Sequence, residues 1–475
     1  MHIDQAEIYN MLISRFPHEP TVLQDVLLRK LAHYIIDKDD RSFFLIKGYA
    51  GTGKTTIISA LVNTLPFVYQ KAVLLAPTGR AAKVIASYSG KEALTIHKKI
   101  YYPTKNKSGG VNFVLQKNKH ANTIFIVDEA SMIPDNQSDL KLFENGSLLD
   151  DLVGYIDSGK HCKLILIGDT AQLPPVQNED SPALNSDSLQ KKFGRNIYEI
   201  ELNEVTRQQQ NSGILHNATE LRMILQQESN ESFKFSMKFP DIVRLVEGDD
   251  ILDAFTQSYG KPGIEDTCLI VRSNKRANAY NQQIRTRILD REAAISAGDY
   301  LMVVKNNYYW LEDSKEVSFI ANGDIGEVMR IYKYTDLYGF HFAEVQLRLI
   351  DYPGQAPFDT VILLDTLTSE SPSLTFEESN RLYQEVAQDY SGFKSKYKIM
   401  LAIKENRYFN ALQVKFSYAV TCHKSQGGQW KNVFIEQPYL PNGQDISYFR
   451  WLYTAITRAQ EKLFLIGFNN EHFQQ

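Results

Sequence analysis

FFLIKGYAGTGKTTIISALV, residues 43–62, opens as an apolar run, passes through a glycine-rich turn and continues into apolar-periodic residues. That order reads as a buried strand, a tight loop and a helix. Inside it, Gly48-x-x-x-x-Gly53-Lys54-Thr55 has the spacing of a phosphate-binding loop. The glycines let backbone N–H groups curl around phosphate oxygens, and the helix after them presents its positive end. Gly48, Gly51, Thr52, Gly53, Lys54, Thr55 and Thr56 are therefore the candidate nucleotide-binding residues. Lys54 would reach the β- and γ-phosphates, and Thr55 would place its hydroxyl on Mg2+.

Such a loop needs a neighbouring strand that ends in acid. NTIFIVDEASM, 122–132, supplies one: Ile124–Val127 form a buried parallel-strand run, and Asp128-Glu129 come at its C-terminal end. Strand ends of that kind face the ligand crevice of an open α/β sheet. Asp128 would hold Mg2+ through water, and Glu129 would orient and deprotonate the attacking water. KLILIGDTAQLPPV, 163–176, is a further apolar strand opening into a polar loop. Its uncharged Gln172 suits sensing of a γ-phosphate or a water, and the two prolines stiffen the end of the loop. Adjacent acids at a strand end are often merely solvated, but after a phosphate loop at this spacing they point to hydrolysis of ATP or GTP.

The totals bound the setting. A chain of 475 residues is too long for one ordinary core, and 43% hydrophobic with 23% charged residues is a globular balance. No run approaches the roughly 20 apolar residues that span a bilayer. MHIDQAEIYNMLISRF carries no basic start leading into an apolar block, so no signal peptide is read. Cys162, Cys268 and Cys422 are the only cysteines and lie far apart, which argues against a disulfide framework and for a reducing, cytoplasmic setting. The net charge of −4 does not itself indicate a polyanionic ligand, although a channel needs only local positive charge.

Eight stretches occur in order: Gly48–Thr55, APTGRAA (76–82), TIH (95–97), DEASM (128–132), GDTAQLPPV (168–176), LNEVTRQ (202–208), TCHKSQG (421–427) and YTAITRA (453–459). Together they resemble the motif series of the superfamily 1 DNA helicases, with the RecD/Dda-like branch as the best likeness, from about Gln24 to the C-terminus. The resemblance implies an α/β fold in which ATP sits between two RecA-like P-loop domains. It also implies single-stranded DNA across the top of both domains and 5′→3′ translocation. Lys54, Asp128, Glu129, Gln172, Arg207 and Arg458 would carry catalysis, with ATP and Mg2+. Arg207 and Arg458 resemble the two arginines that the second domain points at the γ-phosphate, where such a charge stabilises the transition state. Gln24, in PTVLQDVLL, resembles the glutamine that reads the adenine edge; without the resemblance it is a helix glutamine facing solvent.

The resemblance also divides the chain. Residues 1–180 form the first RecA-like domain, 181–294 with 411–475 the second, and 295–410 an inserted SH3-like (2B) barrel with a helical arm. Within the first, 98–121 are an inserted 1B hairpin. Its IYY and VNFVL flank Ser108-Gly109-Gly110, and no Asp or Glu occurs from Ala93 to Val127. A lysine-decorated surface hairpin is the plainer reading of that stretch; the resemblance makes it a strand-separating pin. The barrel is read from short strands with Gly/Asn turns, and the arm from 375–406. Phosphates need N–H groups, hydroxyls and cations. Pro77, Thr78, Arg80, Thr95, His97, Arg272, Asn274, Thr421, His423, Lys424 and Ser425 are accordingly the expected DNA contacts.

TCHKSQGGQW, 421–430, also invites a metal or a nucleophile reading. A metal needs three or four spaced ligands, and Cys422-His423 offers two adjacent ones; a nucleophile needs an oriented base, and adjacent strand residues point apart. The loop matches the fifth helicase motif, which puts one edge on DNA and places Gln426 and Gly427 at the nucleotide cleft. Gln429 stands where relatives often carry Glu. The expected partners are single-stranded DNA and duplex junctions, with repair, recombination or replication proteins, no membrane, and a monomeric state. Three other readings remain open on sequence: an RNA helicase or remodeller, the motor subunit of a nuclease–helicase complex, and a nucleotide-binding switch.

Overall fold

A computed structural model of the chain describes residues 3–105, 111–135, 147–176, 178–204, 211–227, 232–311, 319–393, 395–441 and 443–474, with backbone alone for 103–105 and 111–113. The first strands are β1 (Phe43–Gly48), β2 (Lys71–Ala76) and β3 (Ala93–Thr95). β4 (Tyr101–Lys105) and β5 (Val111–Leu115) form a separate antiparallel pair with Tyr101 opposite Leu115. This is the expected hairpin; its Ser108-Gly109-Gly110 turn lies outside the described residues. β6 (Ala121–Val127), β7 (Lys160–Gly168) and β8 (Ile197–Leu202) complete a parallel sheet of order β3-β2-β6-β7-β1-β8.

Its central strands are apolar throughout because both faces are covered. Phe44, Ile46, Ile124, Ile126, Ile165 and Ile167 share one core with the Val22–Ile36 and Lys54–Thr64 helices. The alternate residues Phe43, Leu45, Phe125, Val127, Leu164 and Leu166 enter the opposite core with the Leu148–Asp157 helix. Each such side chain contributes about 1.5–3 kcal/mol on burial, so strand register is firmly set.

β9 (Ile242–Leu245) and β10 (Thr267–Val271) begin a second sheet, which an inserted barrel interrupts. The barrel closes through β11 (Tyr300–Val303), β12 (Ile325–Leu337), β13 (Phe340–Leu349), β14 (Phe358–Leu363) and β15 (Leu412–Phe416). Between the last two, the Phe376–Asp389 and Lys396–Glu405 helices lay Leu382, Val386 and Ile403 on Phe340, Phe342, Val361 and Leu363 of the barrel. β16 (Ala419–Thr421), β17 (Trp430–Glu436) and β18 (Ala459–Ile466) then finish the second parallel sheet, of order β16-β10-β17-β18-β9.

Two expected boundaries differ. β8 lies beyond residue 180 yet pairs in parallel with β1, so the first sheet runs on to Leu202. β15 lies beyond residue 410 yet closes the barrel against β11 and β14. The run VKFSYAVT reads as one strand but bends at Ser417-Tyr418. There the Tyr418 hydroxyl donates to Asp299 Oδ1 (2.8 Å) and accepts from Arg291 (2.8 Å) and from the Tyr300 N–H (3.2 Å). Among the described residues, no helix is long and apolar enough to cross a membrane.

Candidate nucleotide cleft and nucleic-acid face

The turn after β1 is tight because Gly53 takes φ 84° as the N-cap of the Lys54–Thr64 helix, a left-handed conformation that a side chain would strain. Lys54 Nζ donates to the carbonyls of Gly48 (2.5 Å) and Tyr49 (2.9 Å), which holds the ammonium over the loop. Gln24 accepts from the Thr21 N–H through Oε1 (2.9 Å) and donates through Nε2 to the Thr52 carbonyl (2.9 Å). It thus caps its own helix and ties that helix to the loop, with both ends of the amide engaged.

Asp128 comes directly after β6 and is desolvated; burial, then the charge of Glu129, pushes its carboxyl up to about 6. The Tyr88 hydroxyl (2.6 Å) and the Glu129 N–H (2.9 Å) donate to it. Glu129 itself sits at φ 52°, an unusual conformation for a non-glycine residue and one that turns the chain sharply at the strand end. Asp169, at the end of β7, is also buried, and desolvation raises its carboxyl. Gln172 is 4% exposed, and its Oε1 has no hydrogen-bond partner among the described residues. A buried acceptor left open in a cleft suits an O–H or N–H donor arriving there.

From the second sheet's side, Arg458 comes within 3.8 Å of Glu129 Oε1. Its other guanidinium N–H groups donate to the Thr454 carbonyl (3.1 Å), the Gly428 carbonyl (3.3 Å) and Thr457 Oγ1 (3.3 Å). Gly427, on the same side, closes against the first domain: at φ 73°, a Cβ there would lie 2.8 Å from Ala81 Cβ and 3.0 Å from Thr78 Oγ1. A single cleft of about 1520 Å³ collects Gln24, Gly51, Thr52, Gly53, Lys54, Thr55, Thr56, Asp128, Glu129, Gln172, Gly427 and Arg458. That exceeds the roughly 300–1,000 Å³ of an ordinary small-molecule pocket. Arg207 lies outside the described residues. Among the described residues no three His, Cys, Asp or Glu side chains gather as a metal site, so a divalent cation here would depend on Thr55, Asp128 and phosphate oxygens. Tyr88, Asp169 and Tyr453 are cleft or cleft-edge residues that the motifs did not single out. Asp169 and Tyr453 lie inside quoted motifs; Tyr88 carries no local signal, since it reaches Asp128 from a helix 40 positions upstream.

None of the eleven expected DNA contacts lines this cleft. β10 and β16 are neighbours with Val271 opposite Thr421, so Arg272, Asn274, Thr421, His423 and Lys424 emerge together from the sheet end. Burial pushes the Lys424 ammonium down to about 8; burial and the Lys424 charge do the same to Lys415. Pro77 and Thr78 follow the end of β2 at Ala76, and Thr78 Oγ1 caps the Gly79–Ser89 helix by accepting from the Ala81 N–H (3.2 Å). Four placements differ from expectation. Thr95 is buried as a helix cap, accepting from the Lys98 N–H (3.1 Å). Ser425 is buried and donates to the Cys422 carbonyl (2.7 Å). His97 is desolvated down to about 4, hence neutral near pH 7 and no cation for a phosphate. Arg80 lies 4.0 Å over the Trp430 ring, at the seam between the two sheets' domains. Thr95 and Ser425 are claimed by backbone groups three residues away, whereas Arg80 and His97 are governed by chain that is distant in sequence.

The barrel reaches this face as well. A Cβ on Gly79 would lie 2.7 Å from both Asp324 Oδ1 and the Tyr352 hydroxyl, and Lys83 Nζ donates to the Ile350 carbonyl (3.2 Å). As for Cys422, it is buried with its thiol pushed up to about 12, and its Sγ faces the Trp451 carbonyl (3.3 Å). It fills core.

Comparison with known proteins gives two family matches. Residues 29–224 match the model of an AAA domain, and residues 416–466 match that of a UvrD-like helicase C-terminal domain. The chain is 25% identical over 444 residues to the ATP-dependent DNA helicase dda of Enterobacteria phage T4, covering 90% of this chain and 95% of that one. It is 30% identical over 136 residues to the ATP-dependent RecD2 DNA helicase of Deinococcus radiodurans, covering 28% of this chain and 16% of that one. Among solved structures, a Pif1 helicase from Bacteroides in complex with ADP-AlF3 and ssDNA aligns at 15% identity with a TM-score of 0.47, covering 96% of this chain and 95% of that one.

Proposed function

The chain belongs to the superfamily 1 helicases of the RecD/Dda-like branch, and from that premise we propose that it is an ATP-dependent DNA helicase that moves 5′→3′ on single strands. One observation carries the reading: Lys54, Asp128, Glu129 and Gln172 of one sheet and Arg458 of the other meet in a single cleft. A cleft whose two walls belong to different domains changes shape when one wall moves, and so links turnover to motion.

Lys54, lifted from its carbonyls, would pair with the β- and γ-phosphates, and Gln172 Oε1 would accept from the attacking water beside Glu129. Glu129 would take that water's proton, while Arg458 would leave it to meet charge building on the γ-phosphate. Mg2+, held by Thr55 and Asp128, would supply charge neutralisation between the phosphates. Arg207 is assigned the second arginine role by motif alone. The DNA strand would run along Pro77, Thr78, Arg272, Asn274, Thr421, His423 and Lys424, past the β4–β5 hairpin at the duplex junction. Residues 1–202, the two segments flanking the barrel, and 295–416 are the proposed domains, acting as a monomer in the cytoplasm.

Duplexes bearing either a 5′ or a 3′ single-stranded tail test this directly. Unwinding with ATP of the 5′-tailed substrate alone is expected. ATP turnover that single-stranded DNA fails to stimulate would sink the reading, and equal stimulation by matched RNA would shift it to an RNA-directed motor.

A further inference from the structure

Tyr453, on the Ile446–Ile456 helix that leads to Arg458, stands between two groups of the opposite domain. Its hydroxyl accepts the Ala50 N–H of the phosphate loop (3.1 Å) and donates to Asp169 Oδ2 (2.6 Å). Asp169 Oδ1 accepts the Ala171 N–H (2.9 Å), so the carboxylate also fixes the loop that carries Gln172. One residue on, Thr454 Oγ1 accepts the Leu173 N–H (2.8 Å). The Leu173 carbonyl in turn accepts from Gln426 Nε2 (2.7 Å). Tyr453 and Asp169 are each 1% exposed.

A helix needing only an aromatic filler would be served by phenylalanine. Here one hydroxyl joins the phosphate loop, the Gln172 loop and the arginine-bearing helix, and without it the buried Asp169 carboxylate loses the donor at Oδ2 and keeps the Ala171 N–H at Oδ1. Resting on the helicase reading above, we propose that Tyr453 is a positioning residue for ATP hydrolysis. Through Ala50 and Asp169 it sets the register of the Arg458 helix against the phosphate loop, so that the arginine arrives only when loop and helix are aligned. Thr454 holds the same register one residue along. Neither side chain touches the reacting atoms.

The test is steady-state ATP turnover by the full chain with an oligo-dT strand as activator, for wild type, Tyr453→Phe, Asp169→Asn, the double variant and Thr454→Val. Loss of the hydrogen bond to the charged Asp169 predicts kcat lower by about tenfold in Tyr453→Phe, which also frees the Ala50 N–H, and a smaller fall in Asp169→Asn, whose amide keeps a weaker, neutral bond to the hydroxyl. KM for ATP should stay within about twofold, since the phosphate contacts remain. The double variant should fall no further than Tyr453→Phe, because the bond that Asp169→Asn weakens is already absent there. Thr454→Val, which keeps its shape, should also lower kcat without moving KM. Wild-type kcat in Tyr453→Phe, multiplicative loss in the double variant, or a change confined to KM would each overturn the proposal. If Tyr453→Phe unfolds, wild-type turnover in Thr454→Val overturns it. A wild-type chain without turnover overturns the helicase reading as well, whereas turnover that Lys54→Ala abolishes and Tyr453→Phe leaves intact overturns this inference alone.

Discussion

Arg458 shows what one side chain can do with a planar fork. Its N–H groups serve Glu129, Thr454, Thr457 and Gly428 at once, a geometry that a single ammonium does not reproduce. Arg458→Ala should lower DNA-stimulated kcat by about a thousandfold, and Arg458→Lys should restore little of it; a lysine variant near wild-type rate would remove the arginine from its role. Cys422 is the opposite case, a residue that looks chemical and is not. With burial pushing the Cys422 and Cys268 thiols to about 12, and Cys162 also buried and raised, the native protein should take up almost no iodoacetamide at pH 8. Rapid labelling before denaturant is added would show that a thiol is open. Lys54, Asp128, Glu129 and Gln172 were legible because strand-end loops carry their chemistry in short stretches. Tyr88 was not, since its role exists only where a helix brings it to Asp128.

Among the elements, the bend between β15 and β16 decides where the barrel ends. Apolar alternation continues through VKFSYAVT, so periodicity alone yields one strand. The bend is held by Asp299, fully buried, which pairs with Arg285 Nη2 (3.0 Å) and Arg291 Nη1 (3.0 Å) and accepts from Tyr418. Asp299→Ala would leave the buried Arg285 uncompensated and should cost about 3–5 kcal/mol in urea unfolding. Tyr418→Phe should cost about 1–3 kcal/mol. Losses within about 0.5 kcal/mol for both would mean that packing alone makes the bend.

Across the molecule as a whole, the barrel bears on the first domain through Asp324 and Tyr352 against Gly79. Burial, reinforced by the neighbouring Asp351 charge, pushes the Asp324 carboxyl up to about 7 from its ordinary 3.8. The folded protein therefore keeps this proton to higher pH than the unfolded chain does. Its contribution to stability is greatest at low pH and declines between about pH 4 and pH 7. Asp324→Asn, which cannot ionise, should gain in Tm relative to wild type as pH rises from 5 to 8. Parallel Tm curves for the two proteins would show that Asp324 ionises freely at this seam.

The α/β class, the phosphate loop, the acid pair, the inserted hairpin strands and the barrel with its helical arm could all be read from the order of residues. Each of these is written locally, as periodicity, turn chemistry or a motif at a strand end. That β8 joins the first sheet and β15 the barrel emerged only on folding, since strand partnership depends on which edge is free in space. The same holds for His97, neutralised by burial, for Arg80 over Trp430, and for Tyr453 bridging the cleft. A side chain's charge state and its free hydrogen bonds are set by what folds against it, and that neighbour lay as many as 403 positions away, between Ala50 and Tyr453.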